Sequence, residues 1–312
     1  MKKYFSLAIV ASLILVASCK KDEFNPHSYS SAAGYSSLKD FLSANGPKMQ
    51  YYLVDAAEGA VLTSPQGTTI QIPANAFTTQ SMQPVTGTVT IMFKDIYNKS
   101  DMLLADMPTQ MSNGAPVKSG GEFFIKAVQN NQALLLAPNQ QINIAQPIIG
   151  VPDSAMQALV DTGNAGWVQA ANNVVSINNS AFSYIYNMYQ FSTPCDSGSW
   201  CNSDNTTFFS AYPQTHLNLV PSDVLTGAGY STFLVFSNIN SMVHVYEGQN
   251  GNFPYNYAPV GLSCTVVFVM VKDDKLRASF TPITITNSMN VQLNATQEMT
   301  SRDFKTQLNA LN

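Results

Sequence analysis

Thr88-Val89-Thr90-Ile91-Met92-Phe93-Lys94 alternates along its whole length, with Val89, Ile91 and Phe93 on one side and Thr88, Thr90 and Lys94 on the other. Successive strand side chains point to opposite faces, so this stretch predicts a half-buried strand with one apolar face. The same period continues on either side of it. Residues 122–128 and 133–136 are joined through Gln129-Asn130-Asn131-Gln132, where both central asparagines accept positive φ, and this predicts a hairpin. Gln141-Ile142-Asn143-Ile144 alternates again before Pro147 ends the unit. Residues 51–147 thus read as one antiparallel β-domain of the sandwich type.

Farther along, strands are expected at 216–220, 232–237, 242–247, 263–272, 275–281 and 290–293, with Asn250-Gly251 and Asp273-Asp274 as tight turns. Both alternating faces of 264–271 are apolar, which fits a central strand covered on two sides. Between 150 and 205 the pattern weakens. Residues 153–160 are expected to form a short helix capped by Asp153, and 174–177 and 182–191 are strand candidates. Ser37 with Asp40 is a capping pair ahead of Leu38, Phe41 and Leu42; Thr300 with Asp303 is another ahead of Phe304, Leu308 and Leu311. The expected fold class is all-β: two antiparallel β-sandwich domains with a short N-terminal helix and a C-terminal helix. The sandwiches fall at 37–150 and 206–296, the second Ig-like or transthyretin-like. Residues 151–205 are expected to connect them, and 297–312 form the last helix, expected to dock on a sheet. No repeat of 20–50 residues is present, which argues against solenoids and propellers.

Charged residues make up only 11% of the 312, against the roughly 25% usual for soluble domains. With 15 Lys+Arg and 19 Asp+Glu there is no basic face for nucleic acid. Solubility falls instead to uncharged polar groups, among them 28 Asn and 19 Gln.

Residues 1–18, MKKYFSLAIVASLILVAS, combine a basic start with an apolar run too short to span a bilayer comfortably, the pattern of a cleaved signal peptide. Val16-Ala17-Ser18-Cys19 resembles the bacterial lipobox, which implies lipidation of Cys19 and membrane attachment through the acyl chains; an ordinary signal peptide followed by an incidental cysteine is the alternative. Lys20-Lys21-Asp22-Glu23 resembles the charged stretch that sends some Gram-negative lipoproteins to the outer face of the outer membrane. Residues 19–36 have the composition of a flexible tether. Removal of 1–18 leaves 13 basic and 19 acidic residues, a net charge of −6, so anionic lipid exerts no attraction by charge.

Outside the cytoplasm, Cys195 and Cys201 in TPCDSGSWCNSD are expected to close a small loop as a disulfide; a zinc half-site is the rival, but no second half lies nearby. Cys264 sits in an apolar strand, where a lone thiol is usually inert core.

Gly67-Thr68-Thr69-Ile70-Gln71-Ile72-Pro73-Ala74-Asn75-Ala76-Phe77 followed by Pro84-Val85-Thr86-Gly87-Thr88-Val89-Thr90-Ile91 resembles the opening of the β-sandwich domain shared by tight-junction proteins, netrin receptors and ankyrins. Lys99-Ser100-Asp101-Met102-Leu103 and Ser119-Gly120-Gly121-Glu122-Phe123-Phe124-Ile125-Lys126-Ala127 resemble uncharacterised bacterial surface lipoproteins with this domain. The resemblance covers about 60–145 and implies protein contacts or packing against a neighbouring domain. Trp200-Cys201-Asn202-Ser203-Asp204 is similar to a Gly-Trp-x-Asn-x-Asp segment of the same lipoproteins, with Ser199 in place of the glycine. Trp200 reads as a buried plug at a domain junction, or Asp196, Asn202 and Asp204 as a small oxygen-ligand site; packing is favoured, because calcium takes six to eight oxygens and the twelve-residue loop pattern is absent. Some eukaryotic relatives cleave themselves at His-Phe-Ser. Gln190-Phe191-Ser192 lacks the activating histidine.

His27, His216 and His244 have no metal-ligand spacing, and there is no Gly-x-Ser-x-Gly, P-loop or dinucleotide fingerprint. No catalytic residues, metal or cofactor are expected. Tyr255-Asn256-Tyr257, after Asn250-Gly251-Asn252-Phe253-Pro254, offers rings and amides suited to a sugar face; a tyrosine-rich turn packed on its own sheet is the plainer reading. Tyr255, Tyr257 and Trp200 are the candidate ligand-binding residues. The expected function is a non-enzymatic, lipid-anchored surface module of the outer membrane that binds an envelope protein or a glycan. The alternative is an extracellular polymer hydrolase with carboxylates in an inter-domain cleft.

Overall fold

The two-residue period is realised almost throughout the computed structural model, which describes residues 34–161, 166–191, 198–222 and 229–312. Helix α1 (Leu38–Asn45) is followed by β1 (Gln50–Asp55), β2 (Ala60–Thr63), β3 (Thr69–Ile72), β4 (Phe77–Thr78) and β5 (Thr88–Ile96). After α2 (Lys99–Leu104) come β6 (Lys118–Gln129), β7 (Gln132–Ala133), β8 (Leu135–Leu136), β9 (Ile142–Pro147), β10 (Gln157–Asp161), β11 (Trp167–Gln169), β12 (Val174–Asn178), β13 (Ser183–Met188) and β14 (Ser199–Asn205). The last part holds β15 (Gln214–Val220), β16 (Gly229–Phe236), β17 (Met242–Val245), β18 (Phe253–Pro259), β19 (Ser263–Lys272), β20 (Lys275–Thr284), β21 (Met289–Gln292), β22 (Gln297–Glu298) and α3 (Ser301–Asn309). Both expected caps form: Ser37 and Thr300 accept from the backbone N–H of Asp40 and Asp303.

The first sandwich faces the sheet β1-β5-β6-β14-β10-β11 against β12-β13-β9-β3-β2. Val89, Ile91 and Phe93 of β5 point inward, as alternation requires, and meet Ile70, Ile144, Phe123 and Tyr186. The β6–β7 turn places Asn130 and Asn131 at φ 51° and 62°, the hairpin geometry expected of that pair.

Residues 151–205 do not connect two finished domains. They supply β10 to β14, completing both sheets of the first sandwich. The residues expected to be helical over 153–160 form a turn and then the first four residues of β10, where Leu159 and Val160 pair with Asn202 and Cys201 of β14. Asp153 does accept from the N–H of Ala155, but it opens a turn rather than a helix.

The second sandwich packs β17-β16-β19-β20-β22 on β18-β15-β21. β15 and β21 run parallel, among the described residues the one departure in this sandwich from an antiparallel pattern. β19 is covered on both sides. Cys264, Val266, Phe268 and Met270 face the inter-sheet core, whereas Val267, Val269 and Val271 face α1, α2 and α3. Phe41, Phe304 and Leu308 of the terminal helices fill that second layer, joined by Ile96 of β5 and, half-buried, Trp200 of β14. The C-terminal helix therefore docks on a sheet, as its apolar stripe predicts. Among the described residues, no helix is long and apolar enough to cross a membrane.

Candidate functional site between the two sandwiches

The segment that follows α2 holds the sandwiches together. Thr109 N–H donates to Met242 O at 2.8 Å, Met242 N–H donates to Thr109 Oγ1 at 2.8 Å, and His244 N–H donates to Gln110 Oε1 at 2.7 Å. Residues 109–119 thereby cover the free edge of β17, an edge that would otherwise expose unpaired backbone groups. Ser119 and Asn240 extend the seam: Ser119 N–H donates to Asn240 O at 2.8 Å, and Asn240 Nδ2 donates to Ser119 O at 3.0 Å.

The expected tyrosine platform is part of this seam and not a free surface. Tyr255 is only 6% exposed, and its hydroxyl donates to Gly114 O at 3.1 Å. The Tyr257 ring stands edge-on to it, 6.2 Å away, and lies against Gly114. Both rings are on β18, whose pairing with β15 turns Tyr255 inward and brings the pair onto the 113–114 turn. The signal for a sugar-binding loop was composition alone, and strand pairing overrides it. Trp200 packs edge-to-face on Phe124 at 5.5 Å, with Lys94 Nζ 5.6 Å above its ring. It is half-buried, packed against the helical layer rather than sealed as a plug.

Cys201 carries a free thiol, fully buried in the first core, and burial pushes it up to about 12. The disulfide expected with Cys195 is therefore not present at Cys201; Cys195, Asp196 and Cys19 all lie outside the described residues. Cys264 is likewise buried and raised to about 12, as inert core should be.

Two adjoining depressions open along the seam, and Asp106 lines both. The larger, about 770 Å³, runs between α1 and the start of β16; Ser37, Lys39, Ser43, Lys94, Tyr230 and Ser231 supply its polar lining. Burial, then the neighbouring Lys48 charge, lowers the Lys94 amine below the ordinary lysine range. Tyr230 donates to Glu247 Oε2 at 2.5 Å, which fixes its ring at the rim.

The smaller cleft, about 250 Å³, is lined by Asp106, Asp161, Trp167, His244 and Tyr246 among others. Trp167 is anchored by its indole N–H on Pro108 O at 2.8 Å. The His244 ring is held between Phe233 and Tyr246, with centroids 4.7 and 4.4 Å away. Its Nδ1 lies 3.7 Å from Asp106 Oδ1. That separation is an ion pair only when the ring is protonated. Burial lowers the His244 pKa more than the Asp106 charge raises it, so the ring is neutral at pH 7 and the contact is dipolar.

Sequence reasoning placed His244 beside Met242 and Tyr246 but had no means of finding Asp106 or Trp167 opposite it. Among the described residues no three His, Cys, Asp or Glu side chains gather to hold a metal ion. No known protein family, curated protein or solved structure matches the chain.

Proposed function

We propose that the chain is a lipid-anchored surface protein of the outer membrane, held by acyl chains on Cys19, that works as a non-enzymatic binding module. The ligand is an extended polar segment of an envelope protein or a glycan, seated in the groove between α1 and β16. The observation that carries this reading is the groove itself: about 770 Å³, within the usual range for ligand sites, with serine hydroxyls and two lysine amines along its length. The signal-like residues 1–18, the lipobox resemblance and the likeness of 60–145 to surface lipoproteins support the location.

The full chain, purified in detergent, should bind members of a glycan array or a defined envelope protein, and Lys39→Glu with Lys94→Glu should weaken that binding at least tenfold. Binding that is indifferent to both substitutions, or absent altogether, sinks the groove as the site. Cys19→Ala should release the protein from membranes; retention in the membrane fraction would remove the lipid anchor from the proposal.

The hydrolase reading has one observation in its favour: His244, Asp106 and Asp161 line a single cleft where the two sandwiches meet. At about 250 Å³ that cleft is smaller than most substrate sites. Turnover of an envelope polymer that disappears in Asp161→Asn and His244→Gln would establish it over binding.

A further inference from the structure

Glu122 and Asp204 are fully buried carboxylates on paired strands, and among the described residues neither has a basic partner. Glu122 stands opposite Asn202 and Asp204 opposite Ser119 in the β6–β14 ladder, with a bulge between Asn202 and Asp204. Phe123 and Cys201, the next pair, point into the first core. Glu122 and Asn202 therefore point the other way, toward the seam. Asp204 joins them, since its neighbour Ser203 reaches across the sandwich to Gln146 Oε1 at 2.6 Å. Asn240 closes the seam over Ser119 and Tyr97 by donating to both backbone carbonyls.

The hydrogen bonds inside this cluster leave it short of donors. Asn202 Nδ2 is 3.4 Å from Glu122 Oε1, and the Ser119 hydroxyl donates to Asn202 Oδ1 at 3.0 Å. A hydroxyl has one hydrogen, so Ser119 cannot also satisfy Asp204 while it makes that bond. Glu122 Oε2 and both Asp204 carboxylate oxygens are left buried with no hydrogen-bond partner. Asp95, equally buried in the same sandwich, shows what a satisfied carboxylate looks like here: Ser64 and Thr68 donate to it at 2.5 Å and Gln50 at 3.1 Å. Buried charges are normally paired or bound to metal, and unpartnered buried acceptors are rare enough to need a cause.

We propose that Glu122 and Asp204 hold a divalent cation of the calcium type, with Asn202 Oδ1 and Ser119 Oγ as neutral ligands. The donor set is oxygen only, which selects a hard cation. Two carboxylates with four oxygens, one amide oxygen and one hydroxyl oxygen make six, the lower bound of calcium coordination. Magnesium gives up its waters reluctantly and suits a sealed site less well. The arrangement is also compatible with the absence, among the described residues, of any group of three ionisable ligands, because here half of the donor residues are neutral. Without a cation, burial raises both carboxyls well above the carboxylate range, and the Asp204 charge raises Glu122 further, so protonation is the competing way to neutralise the pair.

The experiment separates the two. The full chain in detergent, stripped with EDTA and dialysed, is titrated with calcium chloride at pH 7.5 by calorimetry and melted with and without the ion. One equivalent should bind, and an ion concentration about 100-fold above Kd should raise Tm by roughly 5 °C. In Glu122→Gln/Asp204→Asn, both the heat and the shift should vanish, while the melt in EDTA stays at or above that of the unsubstituted chain. No heat and no shift in the unsubstituted chain, or a shift that survives in the double variant, overturns the site. If the variant fails to fold, terbium emission from the unsubstituted chain decides. Tyr97 packs against Gly121, next to Glu122, and should sensitise one terbium ion that calcium displaces; no sensitised emission, or emission that calcium leaves unchanged, overturns it.

Discussion

Replacing Phe304 with alanine tests whether the terminal helices are a structural layer or an appendage. Phe304 is fully buried, edge-to-face with Phe41 of α1 at 5.4 Å and tilted on Phe280 of β20 at 5.8 Å. It thus ties α3 to both α1 and the second sandwich. Burying a phenylalanine ring stabilises by about 1.5–3 kcal/mol. Each favourable ring pair adds about 0.5–1.5 kcal/mol. Phe→Ala changes in cores cost about 3–5 kcal/mol once the cavity is included. A terminal helix can slide inward to fill part of the space, so the lower end of that range, about 3–4 kcal/mol, is expected for Phe304→Ala. Phe304→Leu should cost roughly half as much. The assay is urea unfolding followed by tryptophan fluorescence, because Trp200 packs on the same cluster and reports its loss. A loss below about 1 kcal/mol, or an early transition that leaves the main one unmoved, would show that α3 merely rests on the fold.

Two further tests address the seam. His244 has a folded pKa below its ordinary 6.5, so the unfolded chain accepts a proton more readily than the native one. Stability from this group is complete above the ordinary value and is lost as pH falls from there through the lower folded one. Asp106→Asn removes the carboxylate that holds the pKa up, and an NMR titration of the ring should move further down; a rise would disprove the charge contact. Gly121 has φ +131°, and a Cβ there would stand 2.4 Å from the buried Tyr97 ring. Gly121→Ala should destabilise by about 3 kcal/mol through backbone strain and overpacking. Gly67→Ala, at φ +91° with nothing within 4 Å, should cost only about 1 kcal/mol in the same denaturation assay.

Strand positions such as Val89, Ile91 and Phe93 were legible because burial alternates with the chain's own pleat, a property of seven consecutive residues. Asn130-Asn131 and the Ser37 and Thr300 caps were legible for a similar reason: the partner of each group lies within a few residues. Residues 153–160 misled because Ala155, Met156, Leu159 and Val160 fit a helical face as well as a strand, and β14, forty residues away, made the choice. Tyr255 and Tyr257 misled because an aromatic stretch looks the same whether its rings meet solvent or Gly114.

By itself the sequence therefore determined the all-β class, the terminal helices and the low-charge surface, each set by local periodicity, capping or composition. Tertiary structure alone decided that 151–205 completes the first sandwich, and that Asp106 faces His244. It also decided that Glu122, Asn202 and Asp204 share one buried face. Those relations join residues roughly 36 to 138 positions apart, and the chain's local pattern carries no trace of them until one sheet edge has found another.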